Sequence, residues 1–159
     1  NFARPAPPVA ELVEVDTLVA DAAFLLQPDM ERAGVTYHLD IAKGVWVFAD
    51  PEQVKRMLFN LMKNAVQAMP DGGMLTVRTR PERNDVCIEV ADSGPGISEA
   101  VRAQLFEPFF TTRQKGSGLG LAVVSQTVAD NGGHLELAGE EGEGAVFKVI
   151  LPARAGRYS

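Results

Sequence analysis

The chain has 159 residues, 46% of them hydrophobic and 23% charged, the size and balance of one soluble globular domain. A single cysteine excludes a disulfide scaffold, and 15 Lys and Arg against 21 Asp and Glu leave a net charge of −6, which excludes broad attraction to nucleic acid or an anionic membrane. No apolar run approaches the ~20 residues of a membrane span, and no basic-then-apolar leader opens the chain, so a cytoplasmic domain without direct membrane contact is expected.

Residues 1–8, NFARPAPP, carry three prolines and read as an extended connector. Val15, Leu18, Val19, Ala22, Ala23, Leu25 and Leu26 then recur at helical spacing, predicting a helix to about Ala33 with a break near Pro28. Val35, Tyr37, Leu39 and Ile41 alternate with polar residues as in a strand, and Val45–Phe48 reads as its hairpin partner, with Trp46 packed in the hairpin. The strongest helix follows from Pro51 to Met69, with Asp50 as N-cap and Pro51 at the first helical position. Its apolar face is Val54, Leu58, Leu61, Ala65 and Met69, opposite a stripe of Arg56, Asn60, Asn64 and Gln67. Pro70–Gly73 is a turn. Met74–Arg80 and Val86–Ala91 alternate as strands, a glycine-rich region spans Gly94–Gly120, and a helix from Leu119 to about Asp130 ends at Gly132-Gly133. Leu135–Ala138 and Ala145–Leu151 close the domain as strands. The order predicts an α+β, two-layer α/β sandwich: a mixed sheet of about five strands with about three helices on one face. Residues 1–14 are expected to link, 15–152 to form the domain and 153–159 to be a tail.

Four segments carry candidate chemistry. Asn60 and Asn64, four apart, stack on one helix face. They either face water or offer neutral oxygens to a hard cation such as Mg²⁺. Asp92-Ser93-Gly94-Pro95-Gly96-Ile97 leaves a strand end. It is either an ordinary turn or a carboxylate placed to accept from an exocyclic amine while its glycines admit a flat ring. Gly116-Ser117-Gly118-Leu119-Gly120-Leu121 opens into a helix and is either a hinge or an anion site of exposed amides. It fits neither the dinucleotide fingerprint nor the P-loop. Three phenylalanines within Phe106–Phe110 read as core packing or as the anchor of a mobile flap carrying Arg113 and Lys115 to a polyphosphate.

In this order and spacing the four segments resemble the ATP-binding catalytic domain of sensor histidine kinases, in the superfamily shared with gyrase, the mismatch-repair ATPase and a heat-shock chaperone. NLMKNAVQAM (60–69) is similar to the N box, DSGPGI (92–97) to the first glycine box, FEPFFTTR (106–113) to the F box and GSGLGLAVV (116–124) to the second glycine box. Residues 132–152 resemble the closing strands, so the likeness runs from about 15 to 152 and implies a Bergerat-type fold. It implies that Asn64 holds Mg²⁺, with Asn60 assisting, and that Asp92 takes the adenine amino group. It places Gly94, Gly96 and Ile97 around the ring. Phe110, Thr111, Thr112, Arg113, Lys115, Gly116, Ser117, Gly118, Leu119, Gly120 and Leu121 would then form the lid and phosphate wall.

Departures from the family pattern carry expectations of their own. Gln67 stands where relatives often have Lys or Arg, leaving phosphate charge to Lys115 or Arg113. Ala145 stands where they often have Thr, which implies weakened nucleotide binding. The ATP-hydrolysing members resemble one another in a Glu at position 60. Asn60 cannot take a proton from water, which favours transfer to a histidine, already a good base. The implied function is transfer of the ATP γ-phosphate to a histidine on a separate helical dimerisation domain, for relay to a response regulator. The alternatives are an ATPase module or a nucleotide-sensing module of the same superfamily. His38 and His134 read as surface histidines, since neither sits on a helix beside an acidic residue. Residues 1–14 resemble the end of the helical domain and its linker, and the chain alone is expected to be monomeric. Cys87 reads as a packed strand thiol.

Overall fold

The computed structural model describes residues 7–41, 44–96, 119–139 and 143–153. Strand β1 (Glu11–Glu14) runs into helix α1 (Val15–Ala33). Strands β2 (Val35–Asp40) and β3 (Trp46–Ala49), helix α2 (Pro51–Gln67), and strands β4 (Gly73–Glu82) and β5 (Asp85–Asp92) follow. Helix α3 (Leu119–Asp130) and strands β6 (His134–Ala138) and β7 (Val146–Pro152) complete the order. Five strands form one sheet in the order β2-β4-β5-β7-β6. It is mixed: β2 lies parallel to β4, and every other pair in it is antiparallel.

The expected sandwich is what the chain forms. Alternation sends Leu75 and Val77 of β4, Val86, Ile88 and Val90 of β5, and Phe147, Val149 and Leu151 of β7 into the core. Those side chains meet α2 and α3, while α1 packs beside α2 and β2. Val15, Leu18, Val19, Ala22, Ala23, Leu26 and Met30 are buried along one stripe of α1, whereas Leu25, included in the apolar set by the sequence, lies off that stripe and is exposed. The opposite sheet face is mixed, with Cys87 and Ile150 buried side by side among polar residues. There Glu89 pairs in register with Arg78 on one side and Lys148 on the other, and its carboxylate also meets Arg80.

Further expectations are corrected. Helix α1 continues through Pro28 without ending. The carbonyl a proline ring leaves unbonded is that of residue 24, and Phe24 and Pro28 both lie on the solvent side, where water can serve the lost bond. Val45–Phe48 is not the hairpin partner of β2. Strand β2 instead runs parallel with β4 over Val35–Asp40, a six-residue ladder, and β3 pairs antiparallel with β1. Glu11–Glu14, placed in the connecting segment by the sequence, supplies that second partner, and Val15 N–H extends the ribbon to the Val45 carbonyl at 2.9 Å. Trp46 consequently packs in no hairpin with β2. It lies opposite Glu14, on the outward face of the ribbon, and is 44% exposed.

Candidate functional site

Helix α2 starts where the sequence places it because Asp50 caps it. The Asp50 Oδ1 accepts the N–H groups of Glu52 (3.0 Å) and Gln53 (3.2 Å), and Pro51, which has no N–H to satisfy, begins the helix. Val54, Met57, Leu58, Leu61, Met62, Ala65 and Val66 are buried, which fixes the rotation of the helix about its axis. Asn60 and Asn64 therefore emerge together at its margin, half-buried, while Arg56 and Gln67 are exposed. Paired carboxamides at this spacing are hard, neutral oxygen donors. Among the described residues no group of three His, Cys, Asp or Glu could hold a metal. The donor set fits an ion that keeps most of its ligands from waters and phosphates, as Mg²⁺ does, and does not fit one needing a full protein cage.

The end of β5 is brought against the end of α2. Ser93 Oγ accepts the N–H of Met74 at 2.9 Å, and Ser93 N–H reaches the Met74 carbonyl at 3.2 Å. At Gly94 a Cβ would stand 2.9 Å from the Ala68 carbonyl oxygen and 3.0 Å from Asp92 Oδ1. Only a residue without a side chain lets the turn lie this close to the helix terminus. The Asp92 turn and the helix bearing Asn60 and Asn64 are thus joined at Gly94, a backbone-to-backbone contact between segments some thirty residues apart in sequence.

Asp92 itself is held from two directions. Its Oδ1 accepts Gly94 N–H at 2.9 Å, closing a local turn, and Ala145 N–H at 3.3 Å from the segment entering β7. Its own N–H donates to the Ala145 carbonyl at 3.0 Å. Gly144, at φ +92°, completes the approach, because a Cβ there would overlap the Asp92 carbonyl oxygen. The half-buried carboxylate is therefore orientated by main-chain donors before any ligand arrives. Gly96 adopts φ +78°, the left-handed conformation that its glycine permits.

Of the residues singled out in the sequence, the structure sets the turn of Asp92 and Gly94 against the C-terminal end of the helix that carries Asn60 and Asn64, with Gly96 following on the same turn. Gln67 lies exposed on the last turn of α2. Leu119 and Gly120 are the first residues of α3, and Leu121 is half-buried there against the core. Ile97, Phe110, Thr111, Thr112, Arg113, Lys115, Gly116, Ser117 and Gly118 lie outside the described residues. Ser93, Gly144 and Asn131 carry structural duties the sequence reading gave them no part in. Ser93 and Gly144 sit inside recognised segments, but nothing in their spacing signalled a specific partner. His38 is exposed, and His134 is exposed beside Glu136 at 3.0 Å. Cys87 is buried and its thiol is pushed up by burial, with Glu82 adding to the rise.

Residues 49–155 match the family model described as histidine kinase-, DNA gyrase B- and HSP90-like ATPase. Over 155 residues the chain is 33% identical to sporulation kinase E of Bacillus subtilis (strain 168), covering 96% of this chain and 21% of that protein. The catalytic domain of the histidine kinase ThkA, in a nucleotide-free form, superimposes with a TM-score of 0.82 at 25% identity, over 91% of this chain and 95% of that one. Full-length ShkA in complex with AMPPNP superimposes with a TM-score of 0.78 at 30% identity, over 96% of this chain and 34% of that one. The chain spans 17–34% of the length of the curated relatives it matches.

Proposed function

Since the chain belongs to the histidine kinase-, DNA gyrase B- and HSP90-like ATPase family, we propose that it is the catalytic part of a sensor histidine kinase, binding Mg²⁺·ATP and donating the γ-phosphate to a histidine. The observation that carries this reading is the junction at Gly94, which sets an orientated carboxylate beside the end of a helix bearing two carboxamides. The likeness to ShkA, whose structure holds AMPPNP, supports a nucleotide as the ligand.

In this reading Asp92 accepts a hydrogen bond from the adenine amino group. Oδ1 is already engaged by two main-chain N–H groups, so the carboxylate does not reorganise on binding. Guanine, which offers an oxygen acceptor at that position, is refused. Gly94 and Gly96 leave the ring room to approach. Asn64, with Asn60 beside it, would hold Mg²⁺, which when bound supplies charge neutralisation on the phosphates. The amides opening α3 would face the phosphate oxygens, with Arg113 and Lys115 as further cations.

The reaction needs positioning more than bond chemistry from the protein. A histidine ring nitrogen forms the new bond to the γ-phosphorus. The bond from that phosphorus to the β–γ bridging oxygen breaks, and ADP departs. Asn60 has no basic site for a water proton at neutral pH, so hydrolysis lacks a general base there. The phosphoacceptor would be a helical dimerisation domain of the same kinase, with a response regulator as the onward acceptor. Mixing the chain with Mg²⁺·ATP labelled at the γ-position and a supplied dimerisation domain tests the proposal. Acid-labile label on the acceptor is expected. Released phosphate alone would replace the kinase reading with an ATPase, and nucleotide binding with neither product would replace it with a sensor module.

A further inference from the structure

Asn131, the residue directly after α3, is 8% exposed. Its side chain makes three hydrogen bonds. Oδ1 accepts the main-chain N–H of Asp50 at 2.9 Å, and Nδ2 donates to Gln53 Oε1 at 2.9 Å and to the Thr127 carbonyl at 2.9 Å. One amide thus pins the C-terminal end of α3 to the first turn of α2. Oδ1 and Nδ2 both reach the start of α2, and Nδ2 also bonds back to α3, so neither function can be replaced by an apolar residue of the same volume.

The consequence lies at the other end of α3. The twelve residues Leu119–Asp130 make a helix ~18 Å long, which begins in the second glycine box. Helix α2 carries Asn60 and Asn64. Val124 and Val128 hold α3 in the core, but apolar packing is non-directional. The bonds of Asn131 fix the direction in which the helix leaves its anchored end. A swing of about 10° about that anchor would carry the start of α3 by about 3 Å, as far as a whole hydrogen bond is long. Groups that must meet one triphosphate tolerate far less.

We propose that Asn131 is a positioning residue for the phosphate half of the nucleotide site, setting the glycine-box end of α3 against the face of α2 that holds the metal-binding amides. The inference rests on the nucleotide reading above. It requires that loss of the join weaken binding of the triphosphate and spare the adenine end, which Asp92 holds from β5 and β7.

The test measures, on the full 159-residue chain, the Kd for Mg²⁺·ATP by calorimetry, the Kd for adenosine by NMR titration, and the melting temperature. Asn131→Asp keeps the acceptor for Asp50 N–H and loses both donated bonds. Gln53→Leu removes one bond from the other side and keeps the inference open to refutation if the first variant folds poorly. Each is expected to weaken Mg²⁺·ATP about tenfold while adenosine changes less than twofold. Gln53→Glu retains an acceptor for Nδ2 and is expected to bind both ligands as the unaltered chain does. A parallel loss of ATP and adenosine, or a lower melting temperature with both affinities intact, would overturn the positioning role and leave the nucleotide reading standing. Failure of the unaltered chain to bind Mg²⁺·ATP would overturn that reading itself, and the inference with it.

Discussion

Asp92→Asn isolates the one group on which nucleotide choice depends. A carboxylate has two acceptor oxygens, whereas a carboxamide has one oxygen and one NH₂. In the native chain Oδ1 already accepts from Gly94 and Ala145. The asparagine must therefore choose. If its oxygen stays on the two main-chain amides, its NH₂ confronts the adenine amino group, donor against donor. The charge-assisted bond is lost and a donor is left unpaired, at about 2–4 kcal/mol, or roughly 30- to 900-fold in Kd for ATP. If the side chain turns over to serve adenine, the N–H groups of the buried Ala145 and the half-buried Gly94 lose their acceptor. That costs about 1–3 kcal/mol for each, and the melting temperature falls by roughly 2–4 °C per kcal/mol. Calorimetric titration with ATP and GTP, alongside a thermal melt, reads both branches. The first branch is expected, with the melt near native and the preference for ATP over GTP collapsed. A variant that binds ATP within threefold of the native chain and melts at the native temperature would refute the placement of adenine at Asp92.

Four further outcomes are expected. Ala145→Thr restores a hydroxyl beside the Asp92 network and should tighten ATP about fivefold, the worth of one modest hydrogen bond; equal or weaker binding in the same titration would count against the site's layout. Asn64→Ala should abolish the gain in ATP affinity on adding Mg²⁺ while leaving metal-free binding, measured in EDTA, within about twofold. Burial holds the Cys87 thiol protonated above its ordinary range, so the native chain should resist a thiol reagent at pH 8 and react once denatured. The sign for stability follows from the same rise. Below the thiol's ordinary pKa both states keep the proton, and as pH climbs past it the unfolded chain alone loses the proton, so denaturant melts should show stability falling toward pH 10.

The helices were legible because each carries its own punctuation. Asp50-Pro51 starts α2 chemically, and Gly34 at φ +75° and Gly132 at φ +82° follow the ends of α1 and α3. The paired strands β4 and β5 were legible because one face of each is buried by alternation and a two-residue turn joins them at Arg83-Asn84. The site was legible in part for a similar reason. Asn60 and Asn64 are local neighbours, and the Asp92–Gly94 bond spans two residues.

Long-range choices left no comparable trace. Periodicity tells which face of a strand is buried and is silent on which strand lies beside it. Val35–Asp40 had a near neighbour in sequence, but pairing with β4 offered a longer ladder, and the four residues of β1 were too few to advertise themselves as the partner of β3. Asn131 is a sharper case. An asparagine before Gly-Gly reads as turn chemistry whether its side chain faces water or the interior. What fixes its role is an orphan main-chain donor on Asp50, 81 residues away, and an orphan of that kind exists only once α2 and α3 have met. The segments that announce a nucleotide are thus local in sequence, while the contacts that aim them, at Gly94, at Ala145 and at Asn131, arise from packing. A variant can accordingly keep every recognisable box and still lose the geometry in which those boxes act together.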